Sequence, residues 1–595
     1  MSAFENISKL IDDKHSFVLE AGAGSGKTYT LIQSINYILN EKEAELKLNN
    51  QHIVCITYTN VAKNEVIERL ENNPLVLVST IHEFLWDCIK RFNKQLIIEL
   101  DVLNEVMCKE KPEKFESGLK ERISSVTYDD SGFRDFEKGK LHHDDVISLS
   151  LQMFKNYTSL TQILGQKYPY ILIDEYQDTA EETISALIDF LLKRNVNDVL
   201  LGFYGDSYQK IYDEGVGSLQ SYVDSGDLSL ITKDENYRSS QNVIKLLNNI
   251  RDNITQITPE GIESPLGSVK FINTTHPQKE KKEKVKDYEA RVQPKKEQVY
   301  TNLVGELERD GWDFGENGKD KILIIVNSKV AQQAGFGNLY KVYSKRYFDP
   351  KESLLKRENQ FASFFMGSMD KKTSKERETG IEHLSEFWKN KDYNNVIRFL
   401  KRNGNFSLKI HTDKTKTAKI LDELNELRKA GTIKDVFEFC TSNALNLLSQ
   451  SLSNFLKRIS LNIDEIEDEE LKKRIQKDKD FYEQLMAVNY KEFIYAFKHI
   501  QDQTAYSTKH GTKGEEYRNV LVVIDDTSWK QKYNFQNFFS SSEEKEDREL
   551  RTKNLFYVSC SRAVENLVVL ALSEMNDVSM GVLGSWFNNE NVEIK

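Results

Sequence analysis

The chain has 595 residues, of which 82 are lysine or arginine and 93 are aspartate or glutamate, giving a formal net charge of −11. Because ordinary domains have roughly 100–200 residues, a chain of this length is expected to form more than one core. The acidic balance excludes a uniformly basic, histone-like nucleic-acid binder. A content of 39% hydrophobic and 29% charged residues with only 8 prolines is typical of a folded, helix-rich protein.

The 5 cysteines are scattered and include no C-x-x-C pair, so neither a disulfide framework nor a zinc or iron–sulfur cluster is predicted. The amino terminus, MSAFENISKLIDDKH, has no basic segment followed by an apolar stretch. No run approaches the length of about 18 apolar residues that a membrane-spanning helix requires. We therefore expect a cytoplasmic protein that is neither secreted nor embedded in a membrane.

Short apolar runs rich in β-branched residues alternate with helical patterns, which predicts an α/β fold with parallel sheets. The runs form one group near the amino terminus and another beyond residue 320, so we expect two α/β cores. They are FVLEA (17–21), IVCIT (53–57), ILIDE (171–175), DVLLGFYGD (198–206), KILIIVN (321–327), NVLVVIDD (519–526) and LVVLAL (567–572).

The strand-like runs and the helical stretches between them predict six segments. The first core has two parts, interrupted by a helical insert, and the second core has two parts, interrupted by a helical accessory insert. In order, the segments are 1–75 (first core), 76–141 (helical insert), 142–240 (first core), 241–344 (second core with a charged linker), 345–500 (accessory insert) and 501–595 (second core). The linker contains a basic block, 279–298, which is interpreted either as a solvated linker helix or as a basic helix close to nucleic acid.

A glycine-rich segment, AGAGSGKT, lies directly after the first strand-like run and before a helical stretch. This is the setting of a phosphate-binding P-loop, in which consecutive backbone N–H groups curl around phosphate oxygens. Lys27 is expected to place its charge on the β and γ phosphates, and the Thr28 hydroxyl to bind Mg²⁺. The predicted nucleotide-binding residues here are Ala21, Gly22, Ala23, Gly24, Ser25, Gly26, Lys27 and Thr28.

The segment ILIDEYQD (171–178) is an apolar strand that ends in two adjacent carboxylates. Beside a P-loop, these acids have a chemical role, because the metal ion and the catalytic base must both lie next to the bound phosphates. We expect Asp174 to hold Mg²⁺ and Glu175 to orient and polarise the attacking water.

Nine sequence blocks together resemble the UvrD/Rep-like superfamily 1 helicases. The resemblance covers residues 17–240 and 504–572, and it implies two RecA-like P-loop cores that bind ATP between them. In chain order the blocks are AGAGSGKT, TYTNVAKNEVIERL (57–70), STIHEF (79–84), HHDDVISL (142–149), ILIDEYQDT (171–179), GDSYQKIY (205–212), ENYRSS (235–240), STKHGTKGEEY (507–517) and NLFYVSCSRA (554–563).

The resemblance assigns further residues to the nucleotide. Arg238 and Arg562 match the arginines that reach the γ-phosphate, where a guanidinium stabilises the charge of the transferring phosphoryl group. Gln209 and Gln177 match positions that sense the γ-phosphate and couple to the cleft. Tyr237 is expected to stack beside the nucleotide.

The resemblance also implies a track for single-stranded DNA in the first core. Hydroxyl and amide donors are expected to contact phosphates, and aromatic rings to stack on bases, so the grip is independent of base sequence. For Phe84, a place in the hydrophobic core is the alternative. The donors are Thr57, Thr59 and Asn60, and the rings are Tyr58, His82 and Phe84.

In the second core, the block STKHGTKGEEY matches the segment that links the DNA track to the nucleotide. Thr508 and His510 are assigned to DNA, and Gly514 and Glu516 to the nucleotide, while Lys513 completes the match.

Some features depart from the family pattern. No glutamine precedes the P-loop to read adenine, which leaves GTP as an alternative substrate. After GDSYQKIY the chain continues as DEGVGSL in place of an aromatic–Arg–Gly tract, so Tyr212 is the nearest candidate for base stacking. Glu515 stands where the family has leucine. The HHDD run (142–145) is interpreted as a locally packed acidic stretch, with a metal cluster as the alternative.

These observations predict an enzyme that hydrolyses ATP with Mg²⁺ and acts as a translocase and helicase on single-stranded or tailed duplex DNA, with 3′ to 5′ polarity implied by the resemblance. The DEGVGSL variant and the compact length also resemble small UvrD-like proteins of bacterial antiphage systems such as Gabija, which stand beside an OLD-type (TOPRIM) nuclease. The alternative function is therefore a DNA-activated ATPase switch subunit that regulates a partner nuclease without processive unwinding. A third alternative, an interaction protein that uses nucleotide only structurally, would not need Glu175, Arg238 and Arg562.

Overall fold

A computed structural model describes residues 2–112, 114–128, 134–210, 214–277, 279–324, 327–369, 376–404, 411–466, 468–507, 515–527 and 532–595. The chain folds into two units. Unit 1 contains residues 1–276 and 529–595, and unit 2 contains residues 277–528.

Sixteen strands occur in the described residues. They are β1 (Phe17–Ala21), β2 (Ile53–Thr57), β3 (Val76–Thr80), β4 (Thr127–Tyr128), β5 (Lys140–Leu141), β6 (Tyr170–Asp174), β7 (Leu200–Gly205), β8 (Ser229–Lys233), β9 (Ser268–Asn273), β10 (Lys321–Ile324), β11 (Ser368–Met369), β12 (Glu376–Arg377), β13 (Tyr506–Ser507), β14 (Tyr517–Ile524), β15 (Ala563–Ala571) and β16 (Val592–Ile594).

Twenty-four α-helices occur in the same residues. They are α1 (Ala3–Asp12), α2 (Lys27–Leu48), α3 (Asn60–Arg69), α4 (Ile81–Ile89), α5 (Asn93–Glu110), α6 (His143–Asn156), α7 (Thr158–Lys167), α8 (Glu181–Ser185), α9 (Gln220–Asp224), α10 (Gln241–Ile250), α11 (Val285–Arg309), α12 (Asn327–Gln333), α13 (Gly337–Arg346), α14 (Gln360–Met366), α15 (Ile381–Lys389), α16 (Tyr393–Asn403), α17 (His411–Ala430), α18 (Ile433–Ser442), α19 (Gln450–Ile459), α20 (Glu469–Met486), α21 (Lys491–Ile500), α22 (Phe535–Phe539), α23 (Glu546–Cys560) and α24 (Asp577–Phe587). Two π-helical segments, Ala186–Leu192 and Lys351–Leu355, and several short 3₁₀ turns join them.

The main sheet of unit 1 is a six-stranded parallel sheet with the order β3-β2-β6-β7-β1-β8. Its central strands are buried on both faces. In β1, for example, Phe17 and Leu19 pack into one hydrophobic cluster and Val18 into another on the opposite side. This alternation explains the almost continuous apolar runs in the sequence, because helices cover both faces of a parallel sheet.

The first core departs in one respect from the predicted segments. Residues 76–80, counted above within a helical insert, form the edge strand β3, which pairs in parallel with β2. The helical part begins at Ile81, where Thr80 caps α4 with a reciprocal hydrogen-bond pair to Glu83. The strand, VLVST, is half-buried along most of its length, as its position at the edge of the sheet requires.

The rest of unit 1 combines residues from both ends of the chain. Strand β9 pairs in parallel with β15 on one side and with β16 on the other. Helix α23 runs directly into β15 through Ser561 and Arg562. The carboxyl end of α23 therefore brings Arg562 into unit 1, together with the P-loop core.

Unit 2 contains a parallel strand group and a large helical part. Strand β10 pairs in parallel with β13 and β14. Helices between residues 327 and 500 enclose a core rich in aromatic residues, including Tyr343, Phe361 and Phe493. Within the predicted basic block, Lys296 is 3% exposed and its Nζ lies 2.8 Å from Asp525 Oδ1, so this lysine has a structural role in unit 2.

The predicted fold class, α/β with parallel sheets in two RecA-like cores, is confirmed. Over the described residues, no helix combines the length and the apolar character needed to cross a membrane.

Candidate active site

Three predicted motifs meet at one edge of the main sheet of unit 1. Glu20 of β1 lies level with Gly205 of β7, and Asp174 of β6 lies level with Tyr204. Because all of these strands are parallel, the P-loop, the DEYQD segment and the GDSYQ segment all emerge from the same edge. This is the edge where an open parallel α/β sheet binds its ligands.

The P-loop joins β1 to α2. Gly26 is the residue before the helix and has φ +75°, a left-handed conformation that a glycine adopts without strain. The ammonium group of Lys27 donates to the carbonyl oxygens of Ala21 and Gly22 at 3.4 Å each. The loop thus folds back over its own lysine at the amino end of α2.

The loop fits the phosphates of a nucleotide. The helix N-terminus supplies N–H donors, and Ser25 Oγ is buried with no hydrogen-bond partner among the described residues. Gly22 packs so closely that a Cβ would lie 2.2 Å from Nε2 of Gln256. Thr28 and Asp174 provide hydroxyl and carboxylate oxygens, which are the ligands that Mg²⁺ prefers.

Glu175 follows β6 in a left-handed conformation, with φ +52° and ψ 45°. This conformation costs a residue other than glycine about 1–3 kcal/mol and is typical of functional sites. Gln177 Nε2 donates to the Glu175 carboxylate, and Gln177 Oε1 accepts from the Asp206 N–H at 3.2 Å. Gln177 therefore links the predicted catalytic base to the end of β7.

The two predicted arginines lie together at the end of α23. Arg562 is 1% exposed and donates from Nη2 to Gln209 Oε1 at 2.9 Å. Gln209 in turn donates from Nε2 to Asp206 at 2.9 Å. Arg238 donates from Nη1 to the carbonyl oxygen of Ser561 at 3.3 Å, and Arg562 Nε donates to the carbonyl oxygen of Val558, so both guanidinium groups contact the main chain where α23 ends.

Two tyrosines flank the P-loop. Tyr237 donates its N–H to the Gly24 carbonyl at 2.9 Å, and its side chain is 52% exposed, as a ring that stacks on a nucleobase must be. Tyr29, directly after Thr28 in α2, is 60% exposed. Tyr29 is not predicted from the sequence, because a single tyrosine at the start of a helix carries no signal.

A buried polar network, not predicted from the sequence, lies behind the P-loop. The guanidinium of Arg251 lies 3.4 Å from the Asp206 carboxylate, with both side chains 0% exposed. Burial opposes the charge of Arg251, but Asp206, Tyr557 and Glu20 outweigh this effect and raise the pKa of Arg251. Burial, and then the charge of Asp206, raise the pKa of Glu20.

The predicted DNA track begins where β2 ends. Thr57 is 1% exposed, and its hydroxyl donates to the Thr59 carbonyl at 3.2 Å. Thr59 is exposed and caps α3 by accepting the Ala62 N–H. Tyr58 and Asn60 are partly exposed beside it. Except for the buried Thr57, these residues are reachable from solvent.

A pocket of about 450 Å³ lies next to this track, and its lining includes Tyr58, His82, His143 and Asp174. The rings of His82 and His143 are 4.9 Å apart. Phe84, by contrast, is 1% exposed and packs edge to face against Tyr168. Its position supports the alternative interpretation, a core residue.

The HHDD run forms the start of α6. Asp145 is 2% exposed, accepts the His142 N–H at 2.8 Å and pairs with Arg134 at 2.5 Å. Among the residues that the structure describes, no group of three or more His, Cys, Asp or Glu side chains is arranged to hold a metal ion.

Comparison with known proteins adds sequence relationships to this geometry. The profile of an AAA domain matches residues 5–214. Gabija protein GajB of Bacillus cereus (strain HuB5-5) is 29% identical over 95% of this chain and 94% of its own length. The ATP-dependent DNA helicase PcrA of Staphylococcus aureus is 26% identical over 41% of this chain and 39% of its own length, and PcrA of Staphylococcus epidermidis matches to the same extent.

The resemblance to UvrD/Rep-like helicases is confirmed. The protein is a helicase-type enzyme that hydrolyses ATP. In this helicase-type enzyme, the P-loop, Glu175 and both arginines belong to unit 1.

Several residues predicted to bind DNA or nucleotide lie outside the described residues. They are Tyr212, Thr508, His510 and Gly514, and Lys513 of the same block lies outside as well. Glu516 is described. It is an exposed residue of unit 2, directly before β14.

The missed residues of the helicase-type site differ in the signal they offered. Glu20 is a charged residue in an otherwise apolar strand, FVLEA, and this anomaly marks it. Asp206 and Tyr557 stand inside the quoted blocks GDSYQ and NLFYVSCSRA. Arg251 and Gln256 lie in no block, and only the fold reveals them.

Proposed function

We propose that this protein is a motor that hydrolyses ATP to move along single-stranded DNA and to unwind duplex DNA in the 3′ to 5′ direction. The observation that carries the proposal is the convergence of the P-loop, Glu175, Gln209 and Arg562 on one sheet edge of unit 1. A scaffold that held a nucleotide without hydrolysing it would need neither the strained Glu175 nor the buried arginine.

Each residue has a distinct task in the proposed reaction. Lys27 binds the β and γ phosphates of ATP, and Glu175 accepts a proton from the attacking water. Thr28 and Asp174 hold Mg²⁺, which supplies positive charge next to the phosphates when it is bound. Arg562 and Arg238 stabilise the charge that spreads over the transferring phosphoryl oxygens. Gln209 and Gln177 connect these groups to the sheet edge.

The nucleotide site is proposed to act on DNA through the adjacent surface. Thr59 and Asn60 contact phosphates, and Tyr58 and His82 stack on bases, so that any sequence is accepted. Binding of ATP and its hydrolysis then alternate the grip on the strand. Similarity to PcrA, whose name states that it is an ATP-dependent DNA helicase, supports DNA as the partner and ATP as the substrate.

The test is steady-state ATP turnover with and without single-stranded DNA, followed by displacement of a strand from a 3′-tailed duplex. We expect DNA to stimulate turnover, and Glu175→Gln to reduce it by about 100-fold to 10,000-fold while nucleotide binding remains. Lys27→Ala is expected to lose both ATP turnover and nucleotide binding. GTP is tested in parallel as an alternative substrate. Unchanged turnover in Glu175→Gln would overturn the proposal.

A second candidate is a DNA-activated ATPase switch subunit that regulates a partner nuclease in bacterial antiphage defence. The observation that favours it is coverage, because similarity to the Gabija protein GajB extends over 95% of the chain, whereas similarity to PcrA extends over 41%. DNA-stimulated turnover without displacement of a tailed strand would select the switch over the unwinding motor.

We also propose that the protein works in the cytoplasm and that its cores and inserts have the predicted boundaries, except that the first helical insert begins at Ile81, after β3. Limited proteolysis tests the boundaries, since cleavage is expected in exposed segments between the predicted parts.

A further inference from the structure

Both main-chain polar groups of Ala23, in the middle of the P-loop, form hydrogen bonds with buried side chains. The Ala23 N–H donates to the hydroxyl of Tyr557 at 3.1 Å. The Ala23 carbonyl accepts from Gln256 Nε2 at 2.9 Å. All three residues are 2% exposed or less, so water does not compete for these hydrogen bonds.

The Tyr557 hydroxyl uses its full hydrogen-bonding capacity. It accepts from Ala23 N and, at 2.7 Å, from Arg251 Nη1. It donates to Gln256 Oε1 at 3.4 Å. A hydroxyl has one proton and two lone pairs, and each has a partner here. Removing this oxygen would deprive three buried polar groups, Ala23 N–H, Arg251 Nη1 and Gln256 Oε1, of a hydrogen-bond partner.

The same contacts connect the P-loop to α23, the helix that precedes Arg562. Tyr557 lies in α23, which leads into Arg562. Arg251 pairs with Asp206, and Asp206 accepts from Gln209, the partner of Arg562. The loop and the arginine are therefore linked by a continuous set of buried hydrogen bonds and one buried ion pair.

The loop needs such an anchor because glycines stand on both sides of Ala23. Gly24 has φ +73°, and a chain with glycines at two of three positions has many alternative conformations. Ordering such a loop when a nucleotide binds would cost affinity. Fixing Ala23 beforehand removes part of this cost.

We propose that Tyr557 and Gln256 are positioning residues that set the conformation of the P-loop for nucleotide binding, so that nucleotide affinity depends on α23, the helix that leads into Arg562. The proposal rests on nucleotide binding at the P-loop, as in the proposed function. It adds that the opposite face of the loop, turned away from the phosphates, determines the affinity.

The test is direct titration of the full chain with a fluorescent ADP derivative. ADP is chosen because its affinity does not depend on turnover or on the γ-phosphate. We expect Tyr557→Phe to bind ADP about tenfold more weakly, the change expected when one buried hydrogen-bonding partner is removed. Gln256→Glu replaces the amide donor to Ala23 by a carboxylate oxygen and is expected to weaken ADP binding at least as much.

Tyr208→Phe is the matched control. The Tyr208 ring packs edge to face with Tyr557 at 5.7 Å, and its hydroxyl accepts from Lys553 at 3.0 Å and donates to Asp252 at 2.5 Å. Within the described residues, the Tyr208 hydroxyl bonds to Asp252 and Lys553 and not to the P-loop, so the variant loses the same oxygen atom from a ring that packs against Tyr557. We expect Tyr208→Phe to keep the ADP affinity of the wild type. Comparing Tyr557→Phe with Tyr208→Phe therefore separates an effect on the P-loop conformation from a general effect on packing.

Thermal unfolding without nucleotide completes the experiment. Weaker ADP binding in Tyr557→Phe and Gln256→Glu, with wild-type binding in Tyr208→Phe, supports the proposal. A lower unfolding temperature with unchanged ADP affinity would assign Tyr557 a purely structural role and overturn it. If Tyr557→Phe does not fold, Gln256→Glu decides. A wild type that binds no ADP would instead refute the proposed function itself.

Discussion

Arg562 donates a 2.9 Å hydrogen bond to Gln209, a residue that precedes it by 353 positions in the sequence. Both side chains are almost fully buried, at 1% and 5% exposure. A buried guanidinium is stable only when its donors are paired, and Gln209 and the Val558 carbonyl supply that pairing. The pair therefore ties the end of α23 to the sheet edge where the phosphates are proposed to bind.

The first prediction concerns the geometry of Arg562. Lysine keeps the charge but lacks the planar fork that contacts Gln209 and the phosphoryl oxygens together. We expect Arg562→Lys to lower kcat for ATP by about 1,000-fold or more, the effect typical of an arginine finger, with little change in ADP affinity. Arg551→Lys, in α23, the helix that leads into Arg562, is partly exposed; it is the control and should retain wild-type kcat. Equal rates for the two variants would contradict the assignment.

The second prediction compares two P-loop glycines. A Cβ at Gly22 would lie 2.2 Å from Gln256 Nε2 and 2.8 Å from Arg251 Nη1, whereas at Gly26 the nearest atom would be 3.9 Å away. Gly26→Ala meets only the strain of φ +75°, about 1–2 kcal/mol. We expect Gly22→Ala to abolish measurable ADP binding and Gly26→Ala to weaken it. If a nucleotide titration showed weaker ADP binding for Gly26→Ala than for Gly22→Ala, the close packing behind Gly22 would not limit nucleotide binding.

The third prediction concerns the salt dependence of DNA binding. If phosphate contacts supply the affinity, the logarithm of the binding constant falls linearly with the logarithm of the salt concentration, despite the net charge of −11. Tyr58→Ala is expected to reduce the affinity at every salt concentration and to leave the slope unchanged, because stacking releases no counterions. A titration of single-stranded DNA followed by fluorescence anisotropy measures both. An affinity independent of salt would refute the proposed track.

The central strands of unit 1 were predictable because burial on both faces makes them continuous apolar runs. FVLEA and IVCIT match β1 and β2 residue for residue. Strand β3 was not predicted although its sequence, VLVST, begins with three apolar residues. Strand β8, SLITK, lay in no predicted run because it is an edge strand with exposed positions. A short edge strand has no periodic signal strong enough to separate it from a loop.

The candidate site divides in the same way. Lys27 and Glu175 lie in blocks whose chemistry is legible in the sequence. The sequence does not predict the contact of Gln256 with Ala23, because the fold brings together two segments that are 233 positions apart. Buried side-chain hydrogen bonds of this kind follow from the packing of the fold and leave no local pattern.

The fourth prediction concerns the acid stability of unit 2. Burial opposes the charge of Glu376, but the His383 ring, with Nε2 3.3 Å from the carboxylate, and hydrogen bonds from Gln501 and Arg357 outweigh it and lower the pKa of the carboxyl to about 2. The unfolded value is about 4.3. Because the folded pKa is the lower one, this carboxylate contributes stability that is present above about pH 4.3 and is lost as the pH falls towards 2.

We therefore expect Glu376→Gln to unfold at a lower temperature than the wild type at neutral pH, and the difference to shrink between about pH 4.3 and 2. Thermal unfolding over a pH series measures this. Glu378→Gln, at an exposed position two residues further along, is the control and should follow the wild type. A constant difference at all pH values would show that the ionised carboxylate of Glu376 is not the source.

Unit 1 takes its residues from the two ends of the sequence, 1–276 and 529–595. The ribosome therefore delivers the P-loop and Glu175 first, then all of unit 2, and only afterwards the helix with Tyr557 and Arg562. In the proposed mechanism, a nascent chain carries a phosphate-binding loop but no means of hydrolysis. In the same mechanism, ATP hydrolysis begins only after translation has passed Arg562. A chain that terminates earlier contains the P-loop but does not hydrolyse ATP.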